Sequence, residues 1–259
     1  MHRIIPLWPG EAPYTDASPD RFQPSIKEFR VEGSRGAVIV CPGGGYTMKC
    51  DYEGDPICEM LNEAGISAYT LDYRVAPCHL LAPLADANRA VRLVRSLGYE
   101  KVGILGFSAG GHLSCCAATQ YDSGDPGAED PVERLSSRPD AFVPCYAVTS
   151  IRRFPALAKH LPLLGGKHDD PEVQSLFSAD ENVTEDTPPA FIWHTAADQL
   201  VSVKHSLLLA EALAEKKVPF ELVVFPEGRH GLALSGEVPE VNRWAEMCQN
   251  WLIGRNFGA

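Results

Sequence analysis

The stretch that most constrains this chain is residues 101–112, where an apolar run meets a cluster of glycines around one serine. Val102–Leu105 is apolar, Gly106-Phe107-Ser108-Ala109-Gly110 follows, and small residues continue beyond it. The pattern predicts a strand, a sharp turn with Ser108 at its apex, and a helix. Glycines on both sides remove side chains that would collide across such a turn. The alternative interpretation is an ordinary helix start with flexible glycines, and the rest of the chain must decide between the two.

Composition and charge argue against several classes of partner. The chain has 259 residues, enough for one large domain with a substantial core. Its formal net charge of −11 argues against nucleic acid and anionic membranes. No apolar stretch has membrane-spanning length, and the apolar run near Met1 is too short for a signal peptide. The eight cysteines form no C-x-x-C pair, so we expect reduced thiols in a cytoplasmic protein.

Apolar runs alternate with helical patterns along the chain. Runs typical of buried strands are Ala37–Cys41, Ile66–Leu71, Val102–Leu105, Ala141–Val148, Ala190–Thr195 and Phe220–Phe225. Helical patterns cover Asp55–Ala64, Leu84–Leu97, the residues after Ser108, Ser202–Lys217 and Val238–Leu252. This alternation predicts an α/β fold with a mostly parallel central sheet and helices on both faces. We expect one domain over residues 1–259, an antiparallel edge strand at Ser25–Val31, and a small lid or pocket wall at 151–189.

An acid and a base follow the serine in the chain. Asp198 comes just after the strand run Ala190–Thr195, and His230 comes just after Phe220–Phe225. The carboxyl ends of parallel strands meet at one edge of a sheet, so both residues should lie near Ser108. His230 can then take the serine proton while Asp198 orients the imidazole. The alternatives are a helix cap for Asp198 and a solvated turn histidine for His230.

A glycine loop after an early strand predicts a site for a developing oxyanion. Gly43, Gly44 and Gly45 follow Cys41-Pro42, and glycine allows backbone N–H groups to approach a substrate oxygen closely. We expect Gly44, Gly45 and the N–H of Ala109 to donate to that oxygen. A phosphate cradle is the competing interpretation, but neither G-x-G-x-x-G nor G-K-[ST] is present, so no cofactor is expected. No metal site is expected either, since H-E-x-x-H is absent.

Several other residues carry expectations that the structure can test. The side chains of Tyr46 and Phe107, which flank the two oxyanion elements, are predicted to contact substrate. His112 is expected to pack or hydrogen-bond near the serine, and His194 to be a satisfied buried histidine. Asp72 is expected to support the adjacent Arg74.

Nearly the whole chain resembles one group of enzymes. The motifs that carry the resemblance are Leu7-Trp-Pro-Gly-Glu-Ala-Pro13, Cys41-Pro-Gly-Gly-Gly-Tyr46, Tyr73-Arg-Val-Ala-Pro77, Gly106-Phe-Ser-Ala-Gly-Gly-His-Leu113, Thr187-Pro-Pro-Ala-Phe-Ile-Trp-His-Thr195 and His230-Gly-Leu232. They look like the α/β-hydrolase esterases related to acetyl xylan and feruloyl esterases, near the hormone-sensitive-lipase-like carboxylesterases. The resemblance implies an α/β-hydrolase fold and release of acetyl or other small acyl groups from sugars. Pro42 stands where the lipase-like relatives carry histidine, which argues against lipid-like substrates.

The residues and the resemblance together predict a serine esterase whose substrate is a small-molecule ester. We expect that ester to be an acylated sugar or xylo-oligosaccharide, and short acyl groups to be preferred. Two alternatives stay open. A peptidase or arylformamidase could use the same residues on an amide, and a small-molecule receptor could use the scaffold without catalysis. The sequence leaves the oligomeric state open, a homodimer included.

Overall fold

The computed structural model describes residues 2–15 and 22–258, and an eight-stranded sheet forms its centre. The strands are β1 (Ile4–Pro6), β2 (Ser25–Phe29), β3 (Gly36–Cys41), β4 (Ser67–Asp72), β5 (Lys101–Phe107), β6 (Ala141–Cys145), β7 (Ala190–Thr195) and β8 (Phe220–Phe225). The α-helices are α1 (Asp55–Glu63), α2 (Ala82–Ser96), α3 (Ala109–Thr119), α4 (Pro155–Ala158), α5 (Pro171–Leu176), α6 (Lys204–Glu215) and α7 (Arg243–Ile253). None of the helices in these ranges combines the length and apolar character needed to cross a membrane.

The strand order is β1-β2-β4-β3-β5-β6-β7-β8, and the sheet is parallel from β4 to β8. β2 pairs antiparallel with both β1 and β4. Cys41 at the end of β3 is level with Gly106 near the end of β5, and Phe107 is level with Cys145 at the end of β6. The loops that follow these strands therefore leave the sheet at one edge, as parallel strands require.

Side chains of the central strands pack into two separate apolar layers. In β3, Ile39 belongs to the layer that includes residues of α2, α3 and α6. Val38 and Val40 belong to the opposite layer, with residues of α1 and α7. Successive side chains of a strand point to opposite faces, so a continuous apolar run is needed where helices cover both. The mostly parallel sheet with helices on both faces is confirmed.

The small residues after Ser108 are explained by the burial of α3. Every residue from Ala109 to Ala118 is buried, and α3 packs against β5, β6 and α2. A helix enclosed on all sides has room only for small side chains at most positions, and it shows no polar face. The helix prediction for this segment is confirmed.

Differences from the predictions occur where partners are distant in sequence. The strand predicted at the edge over Ser25–Val31 is β2 (Ser25–Phe29), which is antiparallel as expected but lies one position inside the edge. The strand at that edge is β1, which at three residues is too short to show a period. Asp72 pairs with Lys49 at 2.6 Å instead of supporting Arg74. Arg74 pairs with Asp86 at 2.6 Å, and this ion pair is buried. The first thirty residues are rich in Pro, Asp and Ser, which predicts a position on the surface. Residues 16–21 of this stretch lie outside the described part of the chain.

The segment 151–189 contains α4, α5 and short 3₁₀ turns, and it packs on the layer with α2 and α3. Leu163, Leu164 and Phe177 are buried there. The Nε2 of Gln120, just beyond α3, donates to the carbonyl of Leu176 at 2.7 Å. The apolar side chains of this segment thus face the core of the protein.

Candidate active site

Ser108 lies at a sharp turn between β5 and α3, with a positive φ of 51°. Non-glycine residues rarely adopt this backbone region, and such strain is concentrated at functional sites. A Cβ on Gly106 would lie 2.0 Å from the carbonyl oxygen of Gly110, and one on Gly110 would lie 2.0 Å from that of Cys41. Both glycines are therefore sterically required, and the predicted strained turn is present.

Ser108, His230 and Asp198 form a continuous chain of hydrogen bonds. The Nε2 of His230 lies 2.8 Å from the Oγ of Ser108, and its Nδ1 lies 2.6 Å from Oδ2 of Asp198. The carboxylate can only accept, so Nδ1 carries the hydrogen and Nε2 is left as the acceptor for the serine proton. The side chain of His230 is 14% exposed, whereas that of Asp198 is fully buried.

The environment of Asp198 keeps its carboxyl group ionised. Burial would raise its pKa, but hydrogen bonds from His194 and His230 outweigh that effect and hold the pKa well below its usual range. The Nε2 of His194 donates to the carbonyl of Val201 at 2.9 Å and lies 3.4 Å from Oδ2 of Asp198. Its Nδ1 accepts from the hydroxyl of Ser206 at 2.8 Å. His194 is therefore a satisfied buried histidine, as predicted, and it also supports the aspartate.

Asp198 does not cap α6, whose N-cap residue is Val203, but its carboxylate stabilises its own turn. Its Oδ1 accepts the N–H groups of Leu200 and Val201, each at 2.9 Å. Its Oδ2 contacts His230. The turn thus fixes the carboxylate in the orientation that the imidazole needs.

The glycine loop lies against the serine. A Cβ on Gly43 would be 3.1 Å from the Cβ of Ser108, and Gly44 and Gly45 have φ of +130° and +63°. The N–H of Gly43 donates to Glu53. Those of Gly44, Gly45 and Ala109 have no acceptor among residues 2–15 and 22–258. These are the three N–H groups that the sequence predicts to donate to the oxyanion.

The predicted substrate contacts of Tyr46 and Phe107 are wrong for their side chains. Tyr46 is 1% exposed and Phe107 is 0% exposed, so neither side chain reaches the space in which a substrate would lie. Tyr46 has a φ of 60°, and its buried hydroxyl donates to Nδ1 of His112 at 2.8 Å. His112 donates from Nε2 to the carbonyl of Phe177 at 3.0 Å, which confirms its predicted supporting position.

Three residues at the site carry no signal in the sequence. Glu53 is a buried carboxylate that contacts Gly43 and Tyr146. The ring of Tyr146 lies 5.0 Å from that of His230. Tyr52 is 49% exposed. Their roles depend on contacts between distant loops, which no local pattern reveals.

Two cavities flank Tyr52 beside the loops that carry the site. One, of about 680 Å³, is lined by Pro42, Lys49, Cys50 and Tyr52 among others. The other, of about 540 Å³, is lined by Tyr52, Gly231 and further residues of the loop after β8. Ser108 itself lines neither of these cavities. Within the described ranges no cluster of three or more histidine, cysteine, aspartate or glutamate side chains is placed to hold a metal ion.

Comparison with known proteins shows clear relatives. The chain is similar to an acetyl ester-xyloside bifunctional hydrolase from Caldicellulosiruptor lactoaceticus, with 41% identity and a TM-score of 0.91 over 99% of this chain and 97% of that one. Endo-1,4-beta-xylanase B of Butyrivibrio fibrisolvens is 36% identical over 214 residues, which are 78% of this chain and 33% of that protein. Acetylxylan esterase of Xylanibacter ruminicola is 29% identical over 227 residues, which are 83% of this chain and 45% of that protein.

The chain thus spans between a third and a half of the length of these last two relatives, whereas it matches the bifunctional hydrolase almost end to end. Residues 28–213 match the BD-FAE family. That range covers well over half of the chain, from β2 to α6, and it includes the turn at Ser108 and the acid at Asp198. The chain belongs to the BD-FAE family and has the α/β-hydrolase fold.

Proposed function

We propose that this protein is a serine esterase that hydrolyses acetyl or other short acyl esters through an acyl-enzyme. The observation that carries the proposal is the unbroken chain from Ser108 Oγ through His230 to Asp198 Oδ2, with hydrogen bonds of 2.8 and 2.6 Å. This arrangement is the one that activates a serine for attack on a carbonyl carbon.

The reaction follows from the atoms in place. Ser108 Oγ attacks the ester carbonyl while its proton moves to Nε2 of His230, and Asp198 stabilises the imidazolium that forms. The carbonyl oxygen becomes an oxyanion, which accepts hydrogen bonds from the N–H groups of Gly44, Gly45 and Ala109. When the tetrahedral intermediate collapses, His230 returns the proton to the leaving alcohol.

The acyl-enzyme is then hydrolysed by the same groups. His230 takes a proton from water, the hydroxide attacks the acyl carbon, and the second intermediate collapses with release of the acid. The proton returns to Ser108 Oγ, which restores the free enzyme. No step needs a group that the chain does not supply, so we propose that neither metal nor organic cofactor takes part.

We propose an acylated sugar as the substrate, and two observations support this. The relatives include an acetylxylan esterase and an acetyl ester-xyloside hydrolase. In addition, the larger of the two cavities that flank Tyr52 is lined by polar side chains such as Lys49, Asp51 and Asp72 as well as by Tyr52 and apolar residues such as Ile4 and Pro56. Such a mixed surface suits a hydroxyl-rich alcohol better than an alkyl chain.

The segment 151–189 is proposed to act as a fixed wall of the site within a single domain. Its buried Leu163, Leu164 and Phe177 anchor it to the core, and the carbonyl of Phe177 accepts a hydrogen bond from His112 in α3.

We also propose a cytoplasmic location, supported by all eight cysteines being free thiols. Fractionation of producing cells tests the location.

A substrate panel tests the proposal. The protein should turn over p-nitrophenyl acetate and release acetate from acetylated xylo-oligosaccharides. It should hydrolyse peptide p-nitroanilides and formyl-kynurenine much more slowly than these esters. Preferred cleavage of an amide would replace the esterase proposal by the peptidase or arylformamidase alternative. No turnover of any ester or amide, together with binding of one of these compounds, would indicate a receptor.

A further inference from the structure

A buried carboxylate joins two of the loops that build the site. Glu53 ends a short 3₁₀ turn after the glycine loop and is 2% exposed. Its Oε2 accepts the N–H of Gly43 at 2.8 Å, and its Oε1 accepts the hydroxyl of Tyr146 at 2.6 Å. Each oxygen therefore has its own donor, and a buried carboxylate with two donors is compatible with its ionised form. Burial raises the pKa of Glu53, and the bonds from Tyr146 and Gly43 oppose that rise.

Tyr146 extends this connection to the histidine loop. Its hydroxyl, which donates to Glu53, also accepts the N–H of Ala233 at 3.2 Å. Its ring lies edge-on to the imidazole of His230, with centroids 5.0 Å apart. Tyr146 is buried and has a φ of 36°, a backbone strain that other contacts must maintain. The hydroxyl of Tyr146 therefore has one hydrogen and one acceptor site in use.

The position of Gly43 decides where the next two N–H groups point. The N–H of Gly43 donates to Glu53 and is therefore not available to a substrate oxygen. The chain then continues through Gly44 and Gly45, which both have a positive φ. A shift of the loop by a fraction of an ångström would move these N–H groups off the oxyanion position. Hydrogen bonds of this kind stabilise the transition state only when their donors are held in advance.

We propose that Glu53 is a positioning residue that sets the oxyanion loop and, through Tyr146, the His230 loop relative to each other. This inference rests on the proposed esterase function and adds a residue to it. Replacing the Glu53 carboxylate by an amide leaves one acceptor oxygen for two donors, the N–H of Gly43 and the hydroxyl of Tyr146, so one of these two hydrogen bonds is lost. The transition state is thereby destabilised more than the bound substrate, because the oxyanion exists only after attack by Ser108.

The test uses two variants that change few atoms and one matched control. Glu53→Gln removes the charge, and Tyr146→Phe removes only the hydroxyl. Tyr69→Phe is the control, because Tyr69 is also a buried tyrosine that donates to a glutamate, at 3.2 Å to Glu28, and lies in β4 away from the site. Circular dichroism and thermal unfolding establish that each variant is folded.

With p-nitrophenyl acetate, Glu53→Gln and Tyr146→Phe should lower kcat by about 10- to 100-fold, which is less than the roughly 10²- to 10³-fold cost of removing an oxyanion donor outright. KM should stay within about twofold, since the ground state is not affected. The affinity for phenylboronic acid, which forms a tetrahedral adduct on a serine, should fall by the same factor as kcat. The double variant should be no worse than Glu53→Gln, because both residues act through one connection. Tyr69→Phe should retain kcat and boronic-acid affinity.

Clear outcomes overturn the inference. If Glu53→Gln does not fold, Tyr146→Phe decides, and a folded Tyr146→Phe protein with the kcat and boronic-acid affinity of the wild type refutes the positioning role. An equal loss in Tyr69→Phe would show general destabilisation and refute it too. Absence of esterase turnover in the wild-type protein is a different result: it contradicts the proposed function, and the inference falls with it.

Discussion

The Nε2 of His230 lies 2.8 Å from the Oγ of Ser108, although 122 positions separate the two residues in the chain. Ser108 follows β5 and His230 follows β8, and β6 and β7 lie between these strands in the sheet. The loop after β8 therefore reaches back across two strands. The contact exists only in the folded chain, and its length allows direct proton transfer.

Substitutions in this chain of hydrogen bonds should be strongly non-additive. Ser108→Ala and His230→Ala should each lower kcat by about 10⁴-fold or more, and the double variant should be hardly worse, because the residues act as a unit. Asp198→Asn should leave a small residual activity. Steady-state kinetics of folded variants check this, and full activity in a folded Ser108→Ala protein would falsify the assignment.

A serine-directed organophosphonate should stop the reaction with one adduct per chain. Ser108 is only partly buried and its hydroxyl is hydrogen-bonded to His230, whereas Ser114 in α3 is fully buried, so labelling should be confined to Ser108. Activity should also survive dialysis against EDTA. Peptide mapping by mass spectrometry locates the adduct, and an adduct on another residue contradicts the proposed nucleophile.

The rate should fall as the acyl chain grows. The glycine loop lies close enough to Ser108 that a Cβ on Gly43 would be 3.1 Å from the serine Cβ, which favours a small acyl group. Each added methylene contributes only about 0.8 kcal/mol of burial, and overpacking costs about 1–3 kcal/mol. We expect kcat/KM to decrease from acetyl to butyryl to octanoyl esters at a fixed leaving group. An optimum at octanoate or longer would indicate a lipase-like enzyme.

Tyr52 should matter for the alcohol and not for the acyl group. Its side chain is half exposed and lines both cavities. Tyr52→Ala should raise KM for acetylated xylo-oligosaccharides while KM for p-nitrophenyl acetate changes little. Tyr14→Ala, at an exposed tyrosine that lines a different cavity, should affect neither. Parallel kinetics on both substrates check this, and equal effects on both would exclude a role in binding the sugar.

Two buried histidines predict a loss of stability in mild acid. Burial lowers the pKa of His112 to about 4 and that of His205 to about 3, whereas the pKa of an unfolded histidine is about 6.5. Between these pKa values the two histidines bind protons in the unfolded chain but not in the folded protein. This contribution to stability is complete above about pH 6.5 and is lost as the pH falls. Each histidine should remove about 2 kcal/mol of unfolding free energy between about pH 7 and about pH 5.

Urea unfolding of wild type, His112→Gln and His205→Gln at the two pH values isolates this effect. The variants are compared with the wild type because other groups also change stability with pH. The pKa of Glu53 is raised by burial, so its contribution to stability changes with pH in the opposite direction. Its contribution is present at low pH and is lost as the pH rises. Each variant should lose about 2 kcal/mol less than the wild type on acidification. The same loss in all three proteins would contradict the prediction.

The sequence by itself determined the features that depend on local pattern. The run into Ser108 predicted the strand, turn and helix, because burial and steric limits act within a few residues there. Asp198 and His230 could be predicted to lie near Ser108 since each follows a strand run and parallel strands end at one edge. The order of strands and helices followed from the same periodicities.

Only the tertiary structure decided which way side chains point and which distant groups they meet. Tyr46 was predicted at the substrate, but its ring is buried in the core, where Nδ1 of His112 accepts a hydrogen bond from its hydroxyl. Asp72 was assigned to the neighbouring Arg74, but Lys49 is its partner. Glu53 gave no signal because its two donors, Gly43 and Tyr146, come from loops after different strands. A hydrogen bond between loops depends on the path of the whole sheet, and no short stretch of sequence specifies that path.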